Sequence, residues 1–363
     1  MKKRWTRFWV LLFAMCLLVI TLGAAQSPEA KYTIDTPYEY PILPGTQEWI
    51  DLGDVITRRE ACQIPEDILH DMTTDALLKT VLDYPFLNDI YAFNTLEMGY
   101  ETVKRRFNGL QELESRPDYL DTLTNYCLQS YSLEEDEKSL KDYLAEKMYL
   151  VTSSKLDTIS PISDPCQIKT ILTPQKSSVP VIVGRTYGVK SGLLGWEVYT
   201  EKEMKESIEA NKLEFPNATL LRGASNQNLP AYNCLSYALY SQSPNNNSWM
   251  QYVVGYETGP WTYFTDGSYD LIVRDYPDYK MDNLYSPKGP AQIGDIFVYG
   301  VNADVYPLGP THVGIVNSLK YQSGVDQVVS KWGATGLWLH TWGDCPYTED
   351  TGRAYSIWRR AVP

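Results

Sequence analysis

Apolar positions recur at helical spacing between residues 58 and 152 and give way to short apolar runs of strand length after residue 177. The clearest helix begins at Thr73 or Thr74, either of which can cap it, and ends before Pro85. The face that we expect to be buried carries Leu77, Leu78, Val81 and Leu82. The pattern predicts a small helical domain at 58–152, behind an irregular lead-in at 26–57 that is rich in Pro and Tyr.

Three more helices are predicted in this domain. One runs near Thr95–Asn108 and stops at Gly109, because glycine is common just past helix ends. Another starts after Pro117 and turns Leu120, Leu123 and Cys127 inward. The last starts at Ser132, since the acidic residues that follow suit the positive end of a helix dipole; these are Glu134, Glu135 and Asp136.

The second half of the chain reads differently. Residues 153–184 are rich in Ser, Pro and Thr, which is typical of a linker or of an extended entry into another domain. The apolar pattern after this stretch predicts a β-type run at Ser178–Val183 and a short helix at Glu201–Asn211. It also predicts two strands, Gly294–Tyr299 and Thr311–Val316. We therefore predict an α+β chain whose second domain covers 185–363.

The N-terminus has the layout of a secretory signal peptide. Basic residues come first, the apolar run Phe8–Leu22 follows, and Gly23 and Ala25 precede a cut before Gln26. An uncleaved membrane anchor is the alternative, because the apolar run approaches spanning length. We expect residues 1–25 to be removed and the protein to be secreted or associated with the cell wall, without stable membrane association.

Charge narrows the class of partner. The chain carries a net charge of −13, and removing the four basic residues of the signal peptide, which has no acidic residue, gives −17. Such an acidic protein is repelled by phosphate polymers and by anionic membranes. We expect no nucleic-acid partner.

After cleavage the chain keeps an odd number of cysteines, so at least one thiol is unpaired or bridges two chains. The five are Cys62, Cys127, Cys166, Cys234 and Cys345. Cys62 with Cys127 and Cys166 with Cys345 are the disulfides that we consider, and five reduced thiols are the alternative.

Candidate chemistry centres on Pro230–Tyr240. Asn233 is a good N-cap for a helix whose apolar face carries Leu235, Ala238 and Leu239. Cys234 then lies in the first turn, where the helix dipole and free N–H groups stabilise a thiolate and can receive an oxyanion. A small apolar residue packed at a helix start is the alternative interpretation of Cys234.

His312 opens a predicted strand, beside the polar Thr311 rather than inside the apolar run. A histidine placed there can face a helix terminus and accept the proton of a thiol. We expect His312 to be the base for Cys234.

The Asn-Cys helix start, the Gly294–Asp295 strand and the His-Val-Gly-Ile-Val strand, in that order, resemble the papain-like cysteine hydrolases of the NlpC/P60 and CHAP type. The resemblance implies a helix packed on an antiparallel sheet, with Cys234 as nucleophile and His312 as base. The chain also resembles a group of secreted bacterial proteins without an assigned activity, through Tyr232–Ala238, Asp266–Tyr269 and Ser330–Gly333.

In such enzymes a polar residue on a following strand orients the histidine. Ser330 and His340 are candidates, with His340 ahead, and an unfilled third position is the alternative; Lys331 has no acceptor for this role. The oxyanion would lie against the N–H of Cys234 and a second donor, for which we consider the hydroxyl of Tyr232.

The function implied is cleavage of an amide bond through an acyl-enzyme, with peptidoglycan stem peptides as the leading substrate and a protein or isopeptide as the next. We expect no cofactor and no metal ion. Two other classes stay open: an inactive binding module, and a zinc site formed by Cys234, His312, His340 and Cys345.

Overall fold

Helices fill the described chain up to residue 154, and strands dominate it after residue 166. The computed structural model describes residues 32–154, 167–172, 178–183, 199–223, 232–246, 248–250, 269–275, 289–299, 312–320, 324–348 and 355–361. The predicted signal peptide, Cys166 and Thr311 lie outside the described residues. The protein is thus an α+β chain, as predicted, with helices first and an antiparallel sheet after them.

The helices are short and mostly capped. They are α1 (Gln47–Asp51), α2 (Val55–Ala61), α3 (Glu66–Leu69), α4 (Thr74–Leu82), a 3-10 turn (Leu87–Ala92), α5 (Leu96–Arg106), α6 (Asn108–Ser115), α7 (Tyr119–Tyr131), α8 (Leu140–Ser154) and α9 (Glu201–Glu214). Side chains of Thr73, Thr95 and Thr200 cap α4, α5 and α9 by accepting from backbone N–H groups three residues ahead. Helix α1 and the start of α2 occupy part of the stretch that we expected to be an irregular lead-in.

Two predicted helix boundaries are wrong. Gly109 does not end a helix: it lies inside α6, where a Cβ would stand 2.4 Å from Cζ of Phe107 and 2.8 Å from Cδ1 of Ile64, so glycine serves close packing. The last helix starts at Leu140 rather than at Ser132. The intervening residues are held from outside instead, because Nζ of Lys202 donates to the carbonyls of residues 135, 136 and 138.

The strands form two antiparallel sheets. They are β1 (Gln167–Leu172), β2 (Ser178–Val183), β3 (Thr219–Arg222), β4 (Ser248–Met250), β5 (Tyr269–Asp275), β6 (Ile296–Tyr299), β7 (His312–Leu319), β8 (Val325–Trp332), β9 (Gly336–Thr341) and β10 (Tyr355–Arg360). The larger sheet has the order β3-β9-β8-β7-β6-β10-β5, and the smaller one the order β1-β2-β4. Strand β2 coincides with the predicted run, and the stretch at 153–184 is extended over β1 and β2.

The two faces of the larger sheet pack against different partners. One face carries Phe297, Val316 and Trp332 and shares a single core with helices α4 to α9. The other face, which includes Val298 and Val313, packs under the segment that begins at Cys234. Side chains alternate between the faces of a strand, so consecutive residues serve different cores.

Buried polar contacts tie the helices to the sheet side. Arg58 forms an ion pair of 2.8 Å with Asp344, and both side chains are almost fully buried. The guanidinium of Arg59 donates to the carbonyl of Thr348, and that of Arg106 to the carbonyl of Pro346. The helical region is therefore packed into the sheet through its core and through its hydrogen bonds.

The two disulfide pairings considered from the sequence do not form, and the described residues agree with the alternative of reduced thiols. Cys62, Cys127 and Cys345 are free thiols, so the pairings of Cys62 with Cys127 and of Cys345 with Cys166 are both wrong. Burial raises the pKa of Cys62, next to Glu214, to about 12, and it raises that of Cys127, next to Glu146, to about 12.

Candidate active site

Cys234 is the first residue of a short helical segment, as predicted. Oδ1 of Asn233 accepts from the N–H of Ser236 at 3.0 Å, which is the predicted N-cap. The same side chain donates from Nδ2 to the carbonyl of Met250 at 2.6 Å. The cap therefore also fixes the start of the segment to strand β4.

The segment is not a regular α-helix beyond its first residues. Ser236–Tyr240 form a π-helical turn, a rare conformation that is frequent at functional sites. Leu235 and Leu239 are buried against the sheet, and Ala238 packs on the same cluster. The predicted apolar face is confirmed, although the turn contains more residues than that of an α-helix.

His312 opens β7, with 1 % of its surface exposed. Its ring stacks on Tyr347 with centroids 3.3 Å apart and planes within 4°, and Tyr299 lies 5.6 Å away. Burial, with His340 and Lys331 adding, holds the pKa of His312 well below its ordinary 6.5. The imidazole is neutral at pH 7, and its buried Nε2 has no hydrogen-bond partner among the described residues.

His340 and Ser330, the candidates for the orienting residue, bond to each other. Nε2 of His340 lies 2.8 Å from Oγ of Ser330, and Nδ1 lies 3.0 Å from the carbonyl of Thr341. A carbonyl only accepts, so Nδ1 carries the proton and Nε2 accepts from the hydroxyl. In the described chain neither residue hydrogen-bonds to His312, whose ring is held instead by stacking on Tyr347, a residue that the sequence did not single out.

Lys331 belongs to the site in a role that its sequence position did not suggest. Its Nζ donates to the carbonyl of Gly333 at 2.6 Å and lies 5.5 Å from the ring centre of Tyr232. Burial lowers the pKa of Lys331 to about 7, while the charge of Cys234 raises it. Lys331 is therefore within electrostatic range of both Cys234 and His312. The signal that could have pointed to it is a charged residue inside the otherwise β-type run Val328–Trp332.

Contacts link these groups near one end of the sheet, where β7 starts at His312 and the antiparallel β8 ends at Trp332. Val313 packs under the Cys234 segment, so the alternation of side chains puts His312 on the opposite face of the sheet. Sγ of Cys234 lies 3.9 Å from Oδ1 of Asn94, whose neighbour Phe93 packs edge-on against Tyr347. We call Asn94, Cys234, His312, Lys331 and Tyr347 the strand-end cluster.

The other predicted support residue lies to one side of this cluster. The hydroxyl of Tyr232 accepts from Nη1 of Arg222 at 3.3 Å, and its ring packs near Tyr237 and under Lys331. Its use as an oxyanion donor stays a prediction.

The described residues contain no group of three or more His, Cys, Asp and Glu that could hold a metal ion. Cys345 bonds to Thr348 through its thiol, and burial raises its pKa to about 11. Cys234 instead contacts Asn94. Within the described chain, the four residues of the zinc hypothesis do not form one ligand set.

The buried histidines predict how stability depends on pH. Burial lowers the pKa of His340 to about 4, so between about pH 6.5 and pH 4 the unfolded chain binds more protons than the folded protein. We expect the free energy of unfolding to fall as the pH drops through this window, and His340→Gln to remove roughly 3 kcal/mol of that fall.

Urea denaturation at pH 7 and at pH 4 measures this change. His70→Gln is the matched control, because His70 is exposed. If His340→Gln and His70→Gln lose stability equally between the two pH values, buried His340 is not the cause.

No helix in the described part of the chain is long and apolar enough to cross a membrane. Comparisons with protein-family models, with curated proteins and with solved structures find no match for this chain.

Proposed function

We propose that this protein is an exported cysteine hydrolase of papain-like fold, related to the NlpC/P60 and CHAP type, that cleaves an amide bond. The observation that carries the proposal is the strand-end cluster. It brings together a capped helix start at Cys234, Lys331, whose pKa burial lowers to about 7, and a neutral His312 whose buried Nε2 has no hydrogen-bond partner among the described residues. A buried polar atom without a partner is costly, which favours a functional role for it.

The chemistry follows from these residues. In this proposal the thiol proton of Cys234 moves to the imidazole of His312, which requires the two side chains to approach each other at the end of the sheet, and the thiolate attacks the carbonyl carbon of the scissile amide. The tetrahedral intermediate collapses, the C–N bond breaks, and the imidazolium gives its proton to the leaving amine. Water then hydrolyses the thioester and restores the thiol. Lys331, whose pKa burial lowers to about 7, favours the thiolate in its protonated form.

Peptidoglycan stem peptides are the leading substrate class, and proteins or isopeptides are the next. The signal-type N-terminus and the acidic composition support an extracellular substrate that is not a phosphate polymer.

An inactive binding module is the second candidate. The observation in its favour is burial, since Cys234 and His312 are only 2 % and 1 % exposed. In that case the strand-end cluster serves packing, and Cys234 reacts no faster than other buried thiols.

Incubation with purified muropeptides, with products followed by mass spectrometry, tests the proposal. We expect the wild type and His70→Ala to release amine products, Cys234→Ala to release none, and His312→Ala to be slower by on the order of 10⁴-fold. Site-mapped alkylation by iodoacetamide at pH 7 is run in parallel. Cys62, Cys127 and Cys345 are internal controls, because burial raises the pKa of each thiol to 11 or 12.

Products that survive Cys234→Ala would exclude this nucleophile. No product, together with alkylation of Cys234 no faster than that of Cys62, would exclude the hydrolase and leave the binding module.

A further inference from the structure

The thiol of Cys234 meets a residue that lies 140 positions earlier in the chain. Sγ lies 3.9 Å from Oδ1 of Asn94, within the sulfur hydrogen-bonding range. Asn94 is 5 % exposed, and Nδ2 of the same amide is buried with no hydrogen-bond partner among the described residues. One amide therefore accepts from the thiol and keeps an unused donor beside it.

The backbone before Asn94 is anchored to the end of the sheet. The N–H of Ala334 donates to the carbonyl of Tyr91 at 2.9 Å, and the hydroxyl of Tyr347 donates to the carbonyl of Ala92. Gly333 allows this approach, because a Cβ there would stand 2.2 Å from the carbonyl oxygen of Tyr91. Asn94 is thus held by the turn that also presents Tyr347 to His312.

An unpaired buried N–H costs about 1–3 kcal/mol, so its presence beside a candidate nucleophile points to a ligand that pairs with it. When a thiolate adds to a carbonyl, negative charge collects on the oxygen one bond from the carbon that Sγ attacks. A donor next to Sγ is suited to that oxygen, and its contribution appears only as the charge develops.

We propose that Asn94 is a catalytic residue that donates from Nδ2 to the oxyanion formed at Cys234, together with the N–H of Cys234. This inference rests on the proposed function, since it concerns addition of Cys234 to a carbonyl. It gives the helical region a direct part in the reaction. Removal of the helices would take away both an oxyanion donor and the core shared with the sheet.

Two small reagents separate this role from thiolate formation. p-Nitrophenyl acetate acylates a thiol through a tetrahedral oxyanion, whereas iodoacetamide alkylates it without one. Release of p-nitrophenolate that is lost in Cys234→Ala gives the acylation rate, and site-mapped mass spectrometry gives the alkylation rate at Cys234. The ratio of these two rates cancels any change in the thiolate population. We expect Asn94→Ala to lower this ratio by about 10²–10³-fold and Asn94→Gln, which keeps the amide, to recover part of it.

Asn88→Ala is the matched control. Asn88 is also buried and lies in the 3-10 turn before Asn94, but it bonds to Ser207 and Asn211. We expect it to reduce stability and to leave the ratio unchanged. Asn94→Asp keeps the side-chain shape if Asn94→Ala fails to fold, and its ratio is expected to fall in the same way.

A ratio that is unchanged in Asn94→Ala or Asn94→Asp overturns the proposal, as does a wild type from which p-nitrophenyl acetate releases no p-nitrophenolate in a step that depends on Cys234. Failure of the proposed function is distinguishable, because the wild type would then be acylated, with the expected dependence on Asn94, and would hydrolyse no muropeptide.

Discussion

Lys331→Met is expected to slow the alkylation of Cys234 at pH 7 by about ten- to a hundred-fold, because a nearby opposite charge favours the ionised form of a group. The charge of Cys234 raises the pKa of Lys331, so by reciprocity the ammonium stabilises the thiolate. Methionine keeps most of the volume of the side chain and removes the charge. The measurement is the site-mapped rate of iodoacetamide labelling between pH 5 and pH 9.

Lys320→Met is the matched control for this change. Lys320 has a side chain that is 70 % exposed, and it pairs with Asp326 at 3.2 Å, so its loss is expected to leave the labelling rate of Cys234 within about two-fold. Equal rates in Lys331→Met and Lys320→Met would show that Lys331 does not act on the thiol. His312 would then be the sole residue of the cluster that activates it.

Arg58→Met is expected to lower the free energy of unfolding by about 3–5 kcal/mol, because it leaves the buried carboxylate of Asp344 without its charged partner. Nη1 of Arg58 lies 2.8 Å from Oδ1 of Asp344, and Nε donates to the carbonyl of Trp49 at 3.0 Å. Burial raises the pKa of Asp344 by more than Arg58 and Asn217 lower it. The pair joins helix α2 to the loop after β9. Its attraction is largely offset by the cost of burying both charges, so removing one partner is far more destabilising than removing both.

The double variant Arg58→Met/Asp344→Asn should recover a large part of that loss, since it removes both charges. Lys79→Met, which breaks the exposed pair with Asp75, is the control, with an expected change under about 0.5 kcal/mol. Urea denaturation of the wild type and the three variants measures these changes in the free energy of unfolding. A single transition followed by both helix and tryptophan signals is expected, because helices and sheet share one core.

Local signals predicted the local structure well. Thr73 caps α4, the Thr200 capping box starts α9, and Asn233 caps the segment that presents Cys234, because an N-cap depends on backbone groups two or three residues away. The two wrong helix boundaries, at Gly109 and Ser132, lie where contacts with residues far away in the sequence determine the local structure. Gly109 faces Ile64, and Lys202 binds the loop that precedes α8.

In the candidate site, too, the sequence predicted the local features, and the contacts between distant residues came from the structure. Cys234 and His312 can be identified in the sequence because Cys234 begins a helical segment and His312 a strand, and both elements have a clear apolar pattern. The assignment of His340 or Ser330 as partners of His312 came from strand order, and in the described structure these two residues bond to each other. Strand order predicts which residues are neighbours, but side-chain hydrogen bonds depend on distances that it does not contain.

By itself the sequence determined the α+β class, the caps that start the helices and the strand that His312 opens, since these depend on hydrophobic period and near neighbours. Only the tertiary structure brought Asn94 to Cys234 and stacked Tyr347 on His312. It also buried Lys331 within electrostatic range of Cys234 and His312. The physical reason is that these contacts join segments far apart in the chain and depend on how helices and sheet pack, which no local pattern records.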